Sequence, residues 1–168
     1  NKNIVFIYIS TDHVFSGLKK RYKENNKVDL LPSTNLGFYK LKSEIYIKNN
    51  LKKWFIIRSS AVADDPRQTN FILDELKKNN KIDLFNNIFF SPVCSVDFVK
   101  LLKKTISSKT INKIFHCSGE RRVSRYKFYL DIFGKLANFT SKKKIGNHHP
   151  SDLSLSSKYT QSVLKIRY

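Results

Sequence analysis

Ser10, Thr11 and Asp12 set two hydroxyls and a carboxylate side by side, directly after the apolar stretch from Ile4 to Ile9. At the mouth of a strand such groups meet a ligand from a rigid scaffold, where a hydroxyl orients a carbonyl and a carboxyl exchanges a proton. Polar residues also end strands simply because a loop begins there, so the triplet alone fixes no reaction. Arg58, Ser59 and Ser60 hold the equivalent place after a second apolar run, Trp54 to Ile57. Arg121, Arg122 and Arg125 form a local guanidinium cluster, suited to bidentate contact with a diphosphate or to an ordinary solvated surface. His148 and His149 have no third ligand at usable spacing, so no metal is expected. Cys94 and Cys117 lack CxxC spacing and lie in apolar stretches, which predicts two buried thiols in a reducing compartment.

The elements that position these groups follow from hydrophobic periodicity. The β-branched and aromatic run Ile4 to Ile9 predicts a parallel strand covered on both faces. Asn35 to Asn50 carries Leu36, Tyr39, Leu41, Ile45 and Ile47 at helix-like spacing and leads into a second strand at Trp54 to Ile57, which completes a βαβ unit. A helix near Phe71 to Lys78, an apolar piece at Ile82 to Phe85, a helix from Val96 to Ile106 and a strand at Ile114 to Cys117 follow. Ser124 is placed to cap a helix from Arg125 to about Leu136, with Tyr126, Tyr129, Leu130 and Phe133 on one face. The tail is polar until Val163 to Ile166. This alternation predicts a right-handed, mostly parallel α/β sheet. Ligands bind such sheets beyond the C-terminal strand ends, which leads back to Ser10, Thr11, Asp12 and to Arg58, Ser59, Ser60.

The chain has 168 residues, 40% hydrophobic, 13% aromatic and 27% charged, with 5 Gly and 4 Pro, which fits one globular domain and excludes disordered, collagen-like and disulfide-stapled classes. Lys and Arg total 32 against 13 Asp and Glu, a net charge of +19. The lysines are spread along the chain among asparagines rather than gathered in an arginine-rich arm, so a basic surface that favours phosphate-bearing small molecules is expected, not a dedicated nucleic-acid face. No apolar stretch is long enough to span a membrane and no signal-peptide pattern opens the chain, which makes the cytoplasm the expected location. With Met 0 and an apolar run that begins almost at once, the chain is expected to be a piece of a longer protein.

Longer patterns point to a family. Ser10-Thr11-Asp12-His13-Val14-Phe15-Ser16-Gly17 resembles the STDYVFDG segment of the extended short-chain dehydrogenase/reductases, specifically the dTDP-4-dehydrorhamnose reductase family. Pro32 and Asn35 to Glu44 (NLGFYKLKSE) are similar to its P-x-N-x-YG-x-SK-x-x-GE segment, and Phe55 to Val62 (FIIRSSAV) to its LRTSWVYG. Asn70-Phe71, Ser91-Pro92-Val93 before Asp97, Phe115 to Gly119, Ser124 to Phe128 and Pro150 to Leu155 resemble later segments in the same order. The resemblance implies an α/β fold: a partial Rossmann-like doubly wound parallel sheet with a small C-terminal α/β substrate-binding part. Residues 1–62 would form the second half of the NAD(P)-binding fold and 63–168 the substrate-binding portion, intertwined as one unit. The family's cofactor pyrophosphate rests on a Gly-rich turn, and no GxxGxxG occurs in this sequence, so the chain resembles the C-terminal portion of such a reductase.

The family's reaction is NADPH- or NADH-dependent reduction of a 4-keto group on a nucleotide-linked deoxysugar. A ketone that accepts hydride develops negative charge on oxygen and needs a hydrogen-bond donor and a proton there. The resemblance assigns the orienting hydroxyl to Thr11 and the ribose-holding lysine to Lys40, while the position of the proton-donating tyrosine is Leu36. Tyr39 is a weak substitute, because its place on the helix points it roughly 60° away from the required direction. The cofactor would meet Ile9, Ser10, Lys40 and Ser59. The substrate would meet Thr11, Asp12, Val14, Phe15, Ala61, Asn70 and Arg121, with Ala61 standing where the family places a tryptophan. A degraded active site is the expectation. The alternative is a non-catalytic relative that serves a partner enzyme, like the regulatory subunit of methionine adenosyltransferase; a homodimer is also compatible with the family.

Overall fold

The computed structural model describes residues 4–134, 137–143 and 150–167. Strands β1 (Phe6–Thr11) and β2 (Trp54–Ser59) are parallel and joined by helix α1 (Asn35–Asn50), the βαβ unit expected from the apolar spacing. Thr34 caps α1 by accepting the Gly37 amide at 3.1 Å. Gly37 itself allows a close approach: a Cβ there would lie 2.0 Å from the His13 carbonyl oxygen, so any side chain would push the first turn of α1 off the loop that follows β1.

Helix α2 (Pro66–Asn79) starts five residues before the Phe71 start expected from periodicity, because Asp65 accepts the Arg67 amide and Pro66 is preset for the first turn. Strands β3 (Ile82–Phe85) and β4 (Phe89–Phe90), helix α3 (Ser95–Ile106) and strand β5 (Lys113–Cys117) follow, then β6 (Val123–Ser124), α4 (Arg125–Phe133), β7 (Phe139–Lys142) and α5 (Lys158–Leu164). The main sheet has the order β1-β2-β5, all parallel; β3 pairs with β7 in parallel and β4 with β6 antiparallel. The expected helix end at Leu136 and the pair His148 and His149 lie outside the described residues.

Alternation along β2 divides the interior. Phe55 and Ile57 face Phe115, Cys117, Leu101 and Leu164 on one side, while Trp54 and Ile56 pack with Ile47 of α1 on the other. Two expectations need correction, and one element goes beyond them. The Ile4 to Ile9 run is not covered on both faces: Phe6 is 45% and Ile9 37% exposed, because β1 is the outer strand, paired only with β2 among the described residues. Cys94 is exposed at the start of α3, and only Cys117 is buried. The polar tail forms α5, which its composition did not announce but whose Leu164 completes the core under β5. No helix among the described residues is long and apolar enough to cross a membrane.

Candidate functional site

Thr11 and Ser59 end β1 and β2 in register, so the polar residues that follow meet at one rim of the sheet. There the chain after β1 turns at once into a short 3-10 helix, Asp12–Val14, with Thr11 as its cap. Thr11 Oγ1 donates to Asp12 Oδ1 at 3.0 Å, and Ser60 Oγ donates to Asp12 Oδ2 at 3.1 Å. Burial pushes the Asp12 carboxyl above the usual carboxylate range, and its neighbours His13, Thr11, Ser60 and Arg125 oppose that shift only in part.

These groups open into a cavity of about 620 Å³, a volume typical of small-molecule sites. Thr11, Asp12, His13, Leu36, Ser59, Ser60 and Ala61 form one wall, and residues of α2, β3, β4 and α4 form the other, among them Phe71, Glu75, Phe90, Arg125 and Tyr129. The opposite wall is mostly apolar and aromatic, so the polar groups concentrate at the strand ends. Arg125 brings a guanidinium to this wall and lies 4.6 Å from the centre of the Phe90 ring.

The lysine one helical turn beyond Leu36 also reaches β1: Lys40 Nζ donates to the Ile9 carbonyl at 2.7 Å, two residues before Thr11. Its ammonium sits 4.8 Å from the Tyr8 ring centroid. Thr11 and Leu36 therefore line the cavity at the C-terminal end of β1, and Lys40, which does not line it, reaches the same strand end at Ile9. Tyr39 does not line the cavity; it is 65% exposed and its ring meets that of Phe38.

Several other expected site residues lie elsewhere. Ser10 alternates to the opposite face of β1 from Thr11 and donates to buried Glu44 Oε1 at 2.7 Å, so its hydroxyl belongs to the core and not to a cofactor surface. Val14 and Phe15 are fully buried with Tyr22 and Leu155, and Phe15 stacks on Tyr22 at 4.3 Å. They support the loop from beneath rather than face a ligand. Asn70 is on the exposed side of α2, while its neighbours Phe71 and Ile72 line the cavity. Arg121 pairs with Asp131 at 2.9 Å and leaves the wall to Arg125, whose position at the start of α4 aims it inward. Ser60 and His13, which were assigned no role in the site, also line the cavity. Ser60 was legible as one of the polar residues closing the second strand, and His13 as part of the motif that follows the first. Among the described residues no cluster of side chains suits a metal ion.

Solved structures share this arrangement of elements. The dTDP-4-dehydrorhamnose reductase of Clostridium acetobutylicum is 22% identical, with a TM-score of 0.81 over 94% of this chain and 58% of its own. That of Bacillus anthracis, solved in complex with NADP, is 21% identical with the same TM-score over 94% of this chain and 58% of its own. UDP-glucuronic acid 4-epimerase of Bacillus cereus, in complex with NAD, is 17% identical, with a TM-score of 0.74 over 96% of this chain and 53% of its own. At these identities the likeness concerns the fold, and the chain spans little more than half the length of these relatives. No curated protein matches the sequence. The sequence-level match is to a family model, the RmlD substrate binding domain, over residues 1–158. With the strand-end cavity and the order of motifs in agreement, the chain belongs to that family.

Proposed function

We propose that the cavity at the ends of β1 and β2 holds a nucleotide-linked deoxysugar with its 4-keto group at Thr11, in a protein related to the nicotinamide-dependent sugar-nucleotide reductases. The observation that carries this reading is the convergence of Thr11, Leu36 and Lys40 on the end of β1 beside a cavity large enough for a sugar. In this reading residues 1–62 are the second half of a dinucleotide-binding fold and 63–168 the substrate-binding part.

The described residues fit the nicotinamide end of NADPH or NADH but not its pyrophosphate. Lys40 is fixed against the carbonyl of the part-exposed Ile9, whereas no Gly-rich turn is present in the sequence to hold phosphates. The reduced nicotinamide, when bound, supplies a hydride. To donate to the carbonyl, the single Thr11 hydroxyl proton turns from Asp12 Oδ1 to the ligand, while Ser60 keeps its hydrogen bond to the Asp12 carboxyl. Leu36 supplies no proton, so reduction is slow, by about the 10²- to 10⁴-fold that a positioned general acid contributes. Arg125 is the guanidinium placed to meet the diphosphate of the ligand.

The missing proton donor also motivates a second reading, a non-catalytic relative that serves a partner enzyme or pairs with its own copy. The exposed face of α1, with Phe38, Tyr39, Ile45 and Tyr46, is the surface a partner would cover. The parent-length protein, in which a phosphate-binding turn would complete the cofactor site, separates the two when given NADPH and a 4-keto-6-deoxyhexose nucleotide. The reductase reading expects weak nicotinamide oxidation that rises at least tenfold in Leu36→Tyr; no turnover in either form favours the partner-serving reading.

A further inference from the structure

A second cavity, of about 690 Å³, lies beside β5, between the loop around Lys23 to Lys27 and the start of α5, and it shares no lining residue with the cavity at Thr11. Lys23, Lys27, Lys113 and Lys158 all line it. None of the four forms an ion pair with a carboxylate among the described residues, although Lys19, Lys48, Lys77, Lys78 and Lys127 elsewhere do. Four like charges around one concavity repel each other and raise the local potential, a cost relieved when a polyanion enters. The one acid in the lining, Glu24, is turned away: its Oε1 accepts Thr160 Oγ1 at 2.6 Å and the Thr160 amide at 3.3 Å. Burial pushes its carboxyl above the usual carboxylate range. Tyr159 adds an aromatic ring, 43% exposed and in no ring contact among the described residues, and Ile114 adds an apolar floor.

We infer that this cavity binds a nucleoside polyphosphate, its phosphates among the four ammonium groups and its base against Tyr159. The volume accommodates such a ligand. An aromatic face stacks on any base, and lysines bind phosphate as point charges. The inference goes beyond the reductase reading and rests on no feature of the Thr11 cavity.

Calorimetric titration of the full chain with ATP, inorganic triphosphate and a short oligothymidylate at low salt tests it. ATP is expected to occupy one site, with Lys113→Gln combined with Lys158→Gln weakening it about tenfold or more. Tyr159→Ala should weaken ATP while leaving inorganic triphosphate unchanged, and the pair Lys103→Gln with Lys104→Gln on α3 should leave ATP binding intact. Protection of Lys158 from an acetylating reagent by ATP supplies a readout on the unaltered chain. Absence of ATP binding, an equal loss in the α3 pair, triphosphate binding as tightly as ATP, or displacement of ATP by the oligothymidylate at lower concentration would each overturn the inference.

Discussion

Ser10 and Thr11 are neighbours in sequence, yet they belong to two polar regions of opposite character. Thr11 opens into the cavity with Asp12 and Ser60, whereas Ser10 joins a closed network under α1 in which Arg58 Nε and Nη2 donate to Glu44 Oε1 and Oε2 at 2.9 and 2.7 Å. The same alternation separates Arg58 from Ser59 on β2 and puts His116 of β5 beside Arg58 in register. Both regions are hydroxyl- and carboxylate-bearing, and only one is accessible to a ligand. Polar chemistry at a strand end is therefore split by the pleat into a structural half and a site half.

The sharpest way to separate the halves is to remove a charge from the closed one. Arg58 is 1% exposed and Glu44 fully buried, so Arg58→Met leaves the buried carboxylate with only the Ser10 hydroxyl and the more distant Lys48 ammonium at 3.7 Å, and should cost about 3 kcal/mol, measured by urea unfolding. A loss below 1 kcal/mol would mean that the pair does not hold α1 to the sheet. His116 tests the same region by pH. Burial and the Arg58 charge push its pKa down to about 3 from 6.5. The native state thus binds fewer protons than the unfolded chain between those values, and stability falls as pH drops from 6.5 toward 3. In thermal melts across that window His116→Gln should flatten the fall; an unchanged slope would assign acid sensitivity to other groups.

The open region should respond in function rather than in stability. Thr11→Val removes one hydroxyl and should weaken nucleotide-sugar binding about tenfold, with unfolding free energy changed by less than about 1 kcal/mol. If Thr11→Val instead unfolds the protein, the division between the two regions is wrong. Asp12 carries the smallest expected effect. Its carboxyl is raised by burial, so the native state keeps its proton longer than the unfolded chain does, and stability is lost as pH rises through the folded value. Asp12→Asn removes that loss and should raise the melting temperature at neutral pH by a few degrees while it weakens ligand binding. A lower melting temperature would show that the charged form is the one the fold prefers.

The comparison also explains what was legible in the sequence. Helix α1 and strands β2, β3 and β5 announce themselves by local periodicity, and the helix bounds Asn35 and Asn50 match the expectation. Thr11, Leu36 and Lys40 were legible because motif order carried them. What stayed hidden depends on contacts between distant segments. Arg58 looked like one more polar residue at a strand end, because its partner Glu44 sits on a helix and no local pattern links the two. Val14 and Phe15 resembled site residues until the packing of Tyr22 and Leu155 beneath them was visible. Arg121 and Arg125 differ only in where α4 begins, and that decides which one reaches the cavity.

Titration of the purified chain with a dTDP-linked hexose, followed by backbone amide shifts, tests the proposed site most directly. The expected result is perturbation confined to Thr11, Asp12, Ser60, Ala61 and Arg125, with affinity reduced about tenfold in Thr11→Val. Perturbations absent from those residues, or affinity unchanged in that variant, would contradict the placement of the ligand at the ends of β1 and β2.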